Sequence, residues 1–176
     1  VRKSIISFIL VSLGIIFFIA YSFRKVSRVI SSWKYGFIAI VTLIHDILIP
    51  VGVFAILSHV YGTEVDTLFV VAILTILGLS VSDTIVVFDR VRENIRIGNF
   101  KTFEETVGRS LEQVYTRSIA TSSTVIIVLL ALVFFGPAST KVFAMMLTAG
   151  MFLGTYSSIF LASPLLVMFN NMGKNK

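Results

Sequence analysis

Five long apolar stretches separated by short charged connections dominate this chain: residues 4–23, 35–60, 67–88, 119–135 and 142–169. A helix needs about 20 apolar residues to cross the hydrocarbon of a bilayer, and these stretches approach or exceed that length. Barrel strands are excluded, because they alternate lipid-facing and lumen-facing residues, and stretches this continuously apolar do not. Composition agrees: 56% of residues are hydrophobic, 14% are charged, and mean hydropathy is +0.96. A soluble domain of 176 residues could not hide so much apolar surface. The expected fold is therefore all-α, integral to the membrane, with five spans in a single transmembrane domain over residues 1–176.

The chain has no cysteine, which removes disulfides and thiolate metal sites. Its net charge of +6 suits cytoplasmic loops better than nucleic-acid binding. Arg24, Lys25, Arg28, Lys34, Arg90, Arg92, Arg96, Lys101, Arg109, Arg117, Lys174 and Lys176 share one side of the threaded chain. Only Arg2, Lys3 and Lys141 lie on the other. The positive-inside rule then puts the first group, and the C-terminus, in the cytoplasm, with the start of the chain outside. An external start without a signal sequence leads to the expectation that an earlier helix, and an external domain, precede residue 1.

Residues 78–94, GLSVSDTIVVFDRVREN, run from hydrocarbon into charge. Asp83 sits before the crossing, where an unpaired charge costs several kcal/mol. Asp46 lies inside the second stretch, beside His45. The fourth stretch is short for a span, and extending it inward to residue 113 brings Arg117 below the surface. At 1.5 Å per residue, Asp46, Asp83 and Arg117 lie about 21, 24 and 27 Å from the outer ends of their helices. Two acids and one base thus fall near one layer, and Asp83 with Arg117 forms the expected proton-responsive pair. Ionised, Asp83 would hold the guanidinium; protonated, it would release it. A static ion pair fastening two helices is the structural alternative.

Neighbouring residues extend this reading. Arg117, Thr121 and Thr124 share one helical face with Ser122 beside it, so a hydrogen-bonding groove could run outward, with Ser80 on the facing helix. Pro50 removes the hydrogen bond to the Asp46 carbonyl and predicts a local break there. Gly150, Gly154, Ser158 and Ala162 recur every four residues and form a small-residue packing stripe, inside the chain or against a partner. Pro164 follows and frees the Phe160 carbonyl. Between the third and fourth spans, Thr102 and Glu105 form a capping-box pattern opening an amphipathic helix over 102–116. Gly98-Asn99 marks the turn before it.

Enzymatic readings are weak. A two-aspartate protease dyad conflicts with an arginine in the same layer. His45 and His59 have no nucleophile motif nearby, and no glycine-rich phosphate loop is present. His45 and Asp46, as adjacent residues, are expected to point to different helix faces and so to hold no metal. No cofactor is implied.

LSVSDTIVVFDRVREN, the IHD of the second stretch and YTRSIATSST entering the fourth resemble, in order and spacing, the SecF family of protein-export membrane proteins, including the SecF half of fused SecDF chains. The resemblance implies a six-helix bundle of the resistance-nodulation-division type, of which this chain carries five helices. It implies an accessory, non-enzymatic subunit of the Sec translocase in a prokaryotic cell membrane, using the proton-motive force to help draw a preprotein out. Its partners would be a SecD-like protein, the Sec channel, the preprotein and the lipid bilayer. The family's intramembrane Asp and Arg fall on Asp83 and Arg117, and its HD pattern on Asp46. Proton-driven export of a small molecule or lipid, and a structural scaffold built on the small-residue stripe, are the competing functions.

Overall fold

In a computed structural model of the chain, residues 32–172 are described except Thr63 and Asn99, together with Ile6, Leu10, Leu13, Gly14, Phe17 and Tyr21. These six residues are helical and exposed. The expected first span, 4–23, otherwise lies outside the described residues, as does most of the basic loop after it.

The described chain is helical, with no strand: α1 (Ser32–Tyr61), α2 (Thr67–Ile97), α3 (Phe103–Phe135), α4 (Ala138–Ser157), a π turn (Ser158–Ala162) and α5 (Ser163–Met172). Four segments are long and apolar enough to cross a membrane: Lys34–Val60, Thr67–Ile97, Phe103–Phe135 and Ala138–Met172, the last running through the π turn. α4 is the central element and packs on α1, α2 and α3. Large side chains such as Ile127, Phe134, Phe135, Phe152 and Phe160 are exposed, which lipid tolerates and water does not.

Local chemistry sets the helix ends. Asp66 caps α2 by accepting from the Phe69 N–H at 2.8 Å. Gly98 closes α2 with φ +70°, a left-handed conformation that glycine adopts without strain. Thr102 caps α3 through the Glu105 N–H at 3.1 Å. Glu105 reaches back to the Lys101 N–H, one residue before the one a standard capping box uses.

Two expectations change here. The helix beginning at Phe103 and the fourth span are one uninterrupted helix, α3. The apolar face of its first half, with Phe103, Val107 and Val114 buried, packs on Tyr35, Phe88 and Leu166 of the same chain. α1 also continues through the buried Pro50 without a break. A proline kinks rather than ends a membrane helix when neighbouring groups compensate for the lost bond.

At the end of the bundle holding the α2–α3 turn, α2 and α3 share a polar lock. Asn94, buried, donates to Ser110 Oγ and to Gln113 Oε1, both at 2.8 Å, and Arg90 Nε adds a 2.6 Å bond to the same Gln113 oxygen. Lys34 Nζ donates to the Phe169 carbonyl at 2.7 Å and ties α1 to α5. Asn94→Ala would remove two donors from this buried site and is expected to cost about 1–3 kcal/mol. Thermal unfolding of the purified protein reads this, and an unchanged transition would refute the lock.

Candidate functional site

Two apolar clusters fill the interior of the bundle. One contains Tyr35, Leu43, Phe88 and Leu166; the other contains Phe54, Ile76 and Met146. Between them, Asp46 on α1 is fully buried. Ser80 on α2 and Ser157 on α4 both donate to its Oδ2, the latter at 2.7 Å. His45 Nδ1 lies 3.0 Å from Asp46 Oδ1, so these adjacent residues do meet, against the expectation that they point apart. Among the described residues, no cluster of three or more metal-ligating side chains forms around it.

Asp83, one turn beyond Ser80 on α2, is half-buried. Ser158 Oγ, the first residue of the π turn, donates to its Oδ2 at 3.2 Å. Ser118 on α3 turns a buried hydroxyl toward the same carboxylate without closing a hydrogen bond of its own. Asp83 therefore faces hydroxyls from two helices.

Arg117 is not one of those partners. It is exposed, and it forms no ion pair with Asp83 or any other described residue. The cause is rotational: successive helix residues turn by about 100°. Val114, Ser118 and Ser122 form the buried face of α3, which sends Arg117, Thr121 and Thr124 outward. Thr124 Oγ1 bonds the Ala120 carbonyl of its own helix at 2.8 Å. Of the expected groove residues, Ser122 faces inward and bonds Thr155 Oγ1 of α4 at 2.5 Å. Ser80 and Pro50 are also buried. The groove expected on one face of α3 is thus divided between two faces.

Gly150, Gly154, Ser158 and Ala162 are all buried inside the chain. A Cβ at Gly150 would meet Ile76 of α2 at 2.4 Å, and one at Gly154 would lie 3.4 Å from Ser80 Cβ. The small residues bring α4 close enough to α2 for serine hydroxyls to reach carboxylates on neighbouring helices. Ser157 and Ser118 escaped the sequence reading. Ser157 lies seven residues beyond Gly150, a spacing that returns to the same helix face, and this was the available signal.

A family model described as "Protein export membrane protein SecD/SecF, C-terminal" matches residues 1–172. The chain belongs to the SecD/SecF C-terminal family. It is 52% identical over 170 residues to the protein translocase subunit SecF of Thermobaculum terrenum, covering 97% of this chain and 53% of that protein. It is 36% identical over 174 residues to the protein translocase subunit SecDF of Thermus thermophilus, covering 98% of this chain and 22% of that protein. Among solved structures, a SecDF crystal structure in a super-membrane-facing form superposes with a TM-score of 0.79 at 35% identity. That match covers 91% of this chain and 20% of the SecDF chain. The chain thus spans about half the length of the SecF relative from Thermobaculum. Family membership and the four apolar helices together make this a multi-pass membrane protein.

Proposed function

We propose that this chain is the membrane-embedded part of an accessory subunit of the Sec protein translocase, coupling the proton-motive force to preprotein export. Asp83 carries the coupling proton, Asp46 takes part as the second acid, and Arg117 answers the Asp83 charge. The observation that carries the reading is the Asp83 site itself: a half-buried carboxylate on a membrane-crossing helix, faced by hydroxyls rather than by a cation. Such a group gains or loses a proton with little rearrangement of its partners, since hydroxyls donate to a carboxylate and accept from a carboxylic acid.

Arg117 fits the same scheme from the other side of Ser118. Its guanidinium makes no ion pair with Asp83 in this arrangement; pairing it with the ionised carboxylate would take a turn of α3. The exposed polar face of Arg117, Thr121 and Thr124 is costly against lipid, so it supports contact with further helices of the assembly or with a wet cavity. The relatives named SecDF support a SecD-like partner, fused or separate, in that place. In this reading the domain is five helices of a six-helix bundle, with the α2–α3 turn, flanked by Arg96 and Lys101, in the cytoplasm. Export measured with and without a proton-motive force, in Asp83→Asn against the parent, tests it.

A further inference from the structure

Ser157 and Ser158 are consecutive, yet they bond acids on two different helices. Ser157 Oγ donates to Asp46 Oδ2 on α1 at 2.7 Å, and Ser158 Oγ to Asp83 Oδ2 on α2 at 3.2 Å. Each hydroxyl has a second acceptor one turn back along its own helix. Ser157 lies 3.0 Å from the Gly154 carbonyl, and Ser158 lies 3.0 Å from the Thr155 carbonyl. A hydroxyl has one proton to donate, so the two acceptors compete for it. An ionised carboxylate wins over a neutral carbonyl. A protonated carboxyl becomes a donor itself, and the serine proton turns back to its own helix.

The backbone is unusual at the same place. The π turn begins at Ser158, and Ser163 Oγ holds the Ser158 carbonyl at 3.3 Å. π turns are rare and gather at functional sites, and they leave a helix able to change its register locally. Pro164 has no N–H to restore the α-helical bond to Phe160. The hydroxyl step therefore sits at the one point where α4 departs from regular α geometry among the described residues.

We propose that the Ser157–Ser158 step couples protonation of Asp46 to protonation of Asp83, so that the two carboxylates behave as one titrating pair read by a single helix. The inference deepens the proton-driven reading above and rests on it. When Asp46 takes up a proton, Ser157 turns to Gly154, the π turn adjusts, and Ser158 changes its hold on Asp83. Ser80 also bonds Asp46, one turn before Asp83 on α2, but no hydrogen bond among the described residues joins it to Asp83. Among the described residues, the titratable group bonded to Asp46 is His45 on its own helix, and α2 and α4 bond it through Ser80 and Ser157. Around Asp83, α3 presents Ser118 and α4 leads into Ser158. Both are positioning residues: they hold carboxyls and need not carry the proton across.

The test is a double-mutant cycle read at Asp83 without any export assay. The full-length subunit with its partner, in native membrane vesicles, is treated with a hydrophobic carbodiimide, which reacts with protonated carboxyls. Peptide mass spectrometry then gives labelling of Asp83 against pH. In the parent, Asp46→Asn is expected to move the labelling midpoint by about one pH unit, the strength at which two sites titrate as a pair. In Ser157→Ala/Ser158→Ala, the same Asp46→Asn change is expected to move it by less than about a third of that. Equal shifts in the two backgrounds, or no shift in either, overturn the coupling. Should the double variant fail to accumulate, the single variants decide, since Ser157→Ala breaks the Asp46 arm and Ser158→Ala the Asp83 arm. Either alone must abolish most of the shift. Export with Asp83→Asn stands apart: full proton dependence there removes the motor reading, whereas a failed cycle beside lost proton dependence removes only the coupling.

Discussion

Asp83→Asn is expected to abolish the stimulation of export by the proton-motive force while leaving the subunit folded and assembled. The amide is nearly isosteric with the carboxyl, and its oxygen can still accept from Ser158, which bonds Asp83 at 3.2 Å. No ion pair is lost, because among the described residues Asp83 has none. What disappears is the exchangeable proton. One proton moving through 100 mV supplies about 2.3 kcal/mol, a bias of about fortyfold on a conformational equilibrium. Removing that term leaves export at its unstimulated rate, whatever potential is applied. Preprotein transport into inverted membrane vesicles, measured across imposed potentials and pH gradients, checks the result. Normal stimulation in the variant would exclude Asp83 as the coupling group. A structural scaffold predicts the opposite pattern: lowered thermal stability with proton dependence intact.

The similar heights of Asp46 and Asp83 could be read from the sequence, but the contacts around them could not. Counting residues from the outer end of a helix gives depth, so Asp46 and Asp83 were expected at similar heights, and both join hydroxyls of the α4 segment. Depth says nothing about rotation about the helix axis. Arg117 and Ser118 differ by 1.5 Å in height and about 100° in direction, and that angle decides which of them meets Asp83. The buried face of α3 follows Val114, Ser118 and Ser122, and it could have been recognised by extending the apolar spacing of Phe103, Val107 and Val114 inward. The Thr102 cap and the Gly98 turn were legible because they depend on local chemistry alone. Pro50 was misleading for the converse reason. Its missing N–H is local, but the packing that carries the helix past it is not.

The close approach of α4 to α2 makes the sharpest stability prediction. Gly150→Ala is expected to destabilise the bundle by about 1–3 kcal/mol or more, the usual cost of forcing a methyl group into a packed interior. The added Cβ would stand 2.4 Å from Ile76 Cγ1, 2.5 Å from Cδ1 and 3.0 Å from Cγ2. Both branches of the Ile76 side chain are engaged, so a rotamer change cannot clear the space. Ile76 is itself 2% exposed and has nowhere to retreat. The helices must separate, and separation would draw Ser157 and Ser158 away from Asp46 and Asp83. Gly154→Ala should be far milder, because its Cβ would lie 3.4 Å from Ser80 Cβ, an ordinary contact. Thermal unfolding in detergent should therefore rank the variants parent, Gly154→Ala, Gly150→Ala. Ile76→Ala, costly alone because it opens a cavity, should become nearly neutral beside Gly150→Ala, since each change fits the other. Additive losses in that double variant would mean that the two residues do not meet.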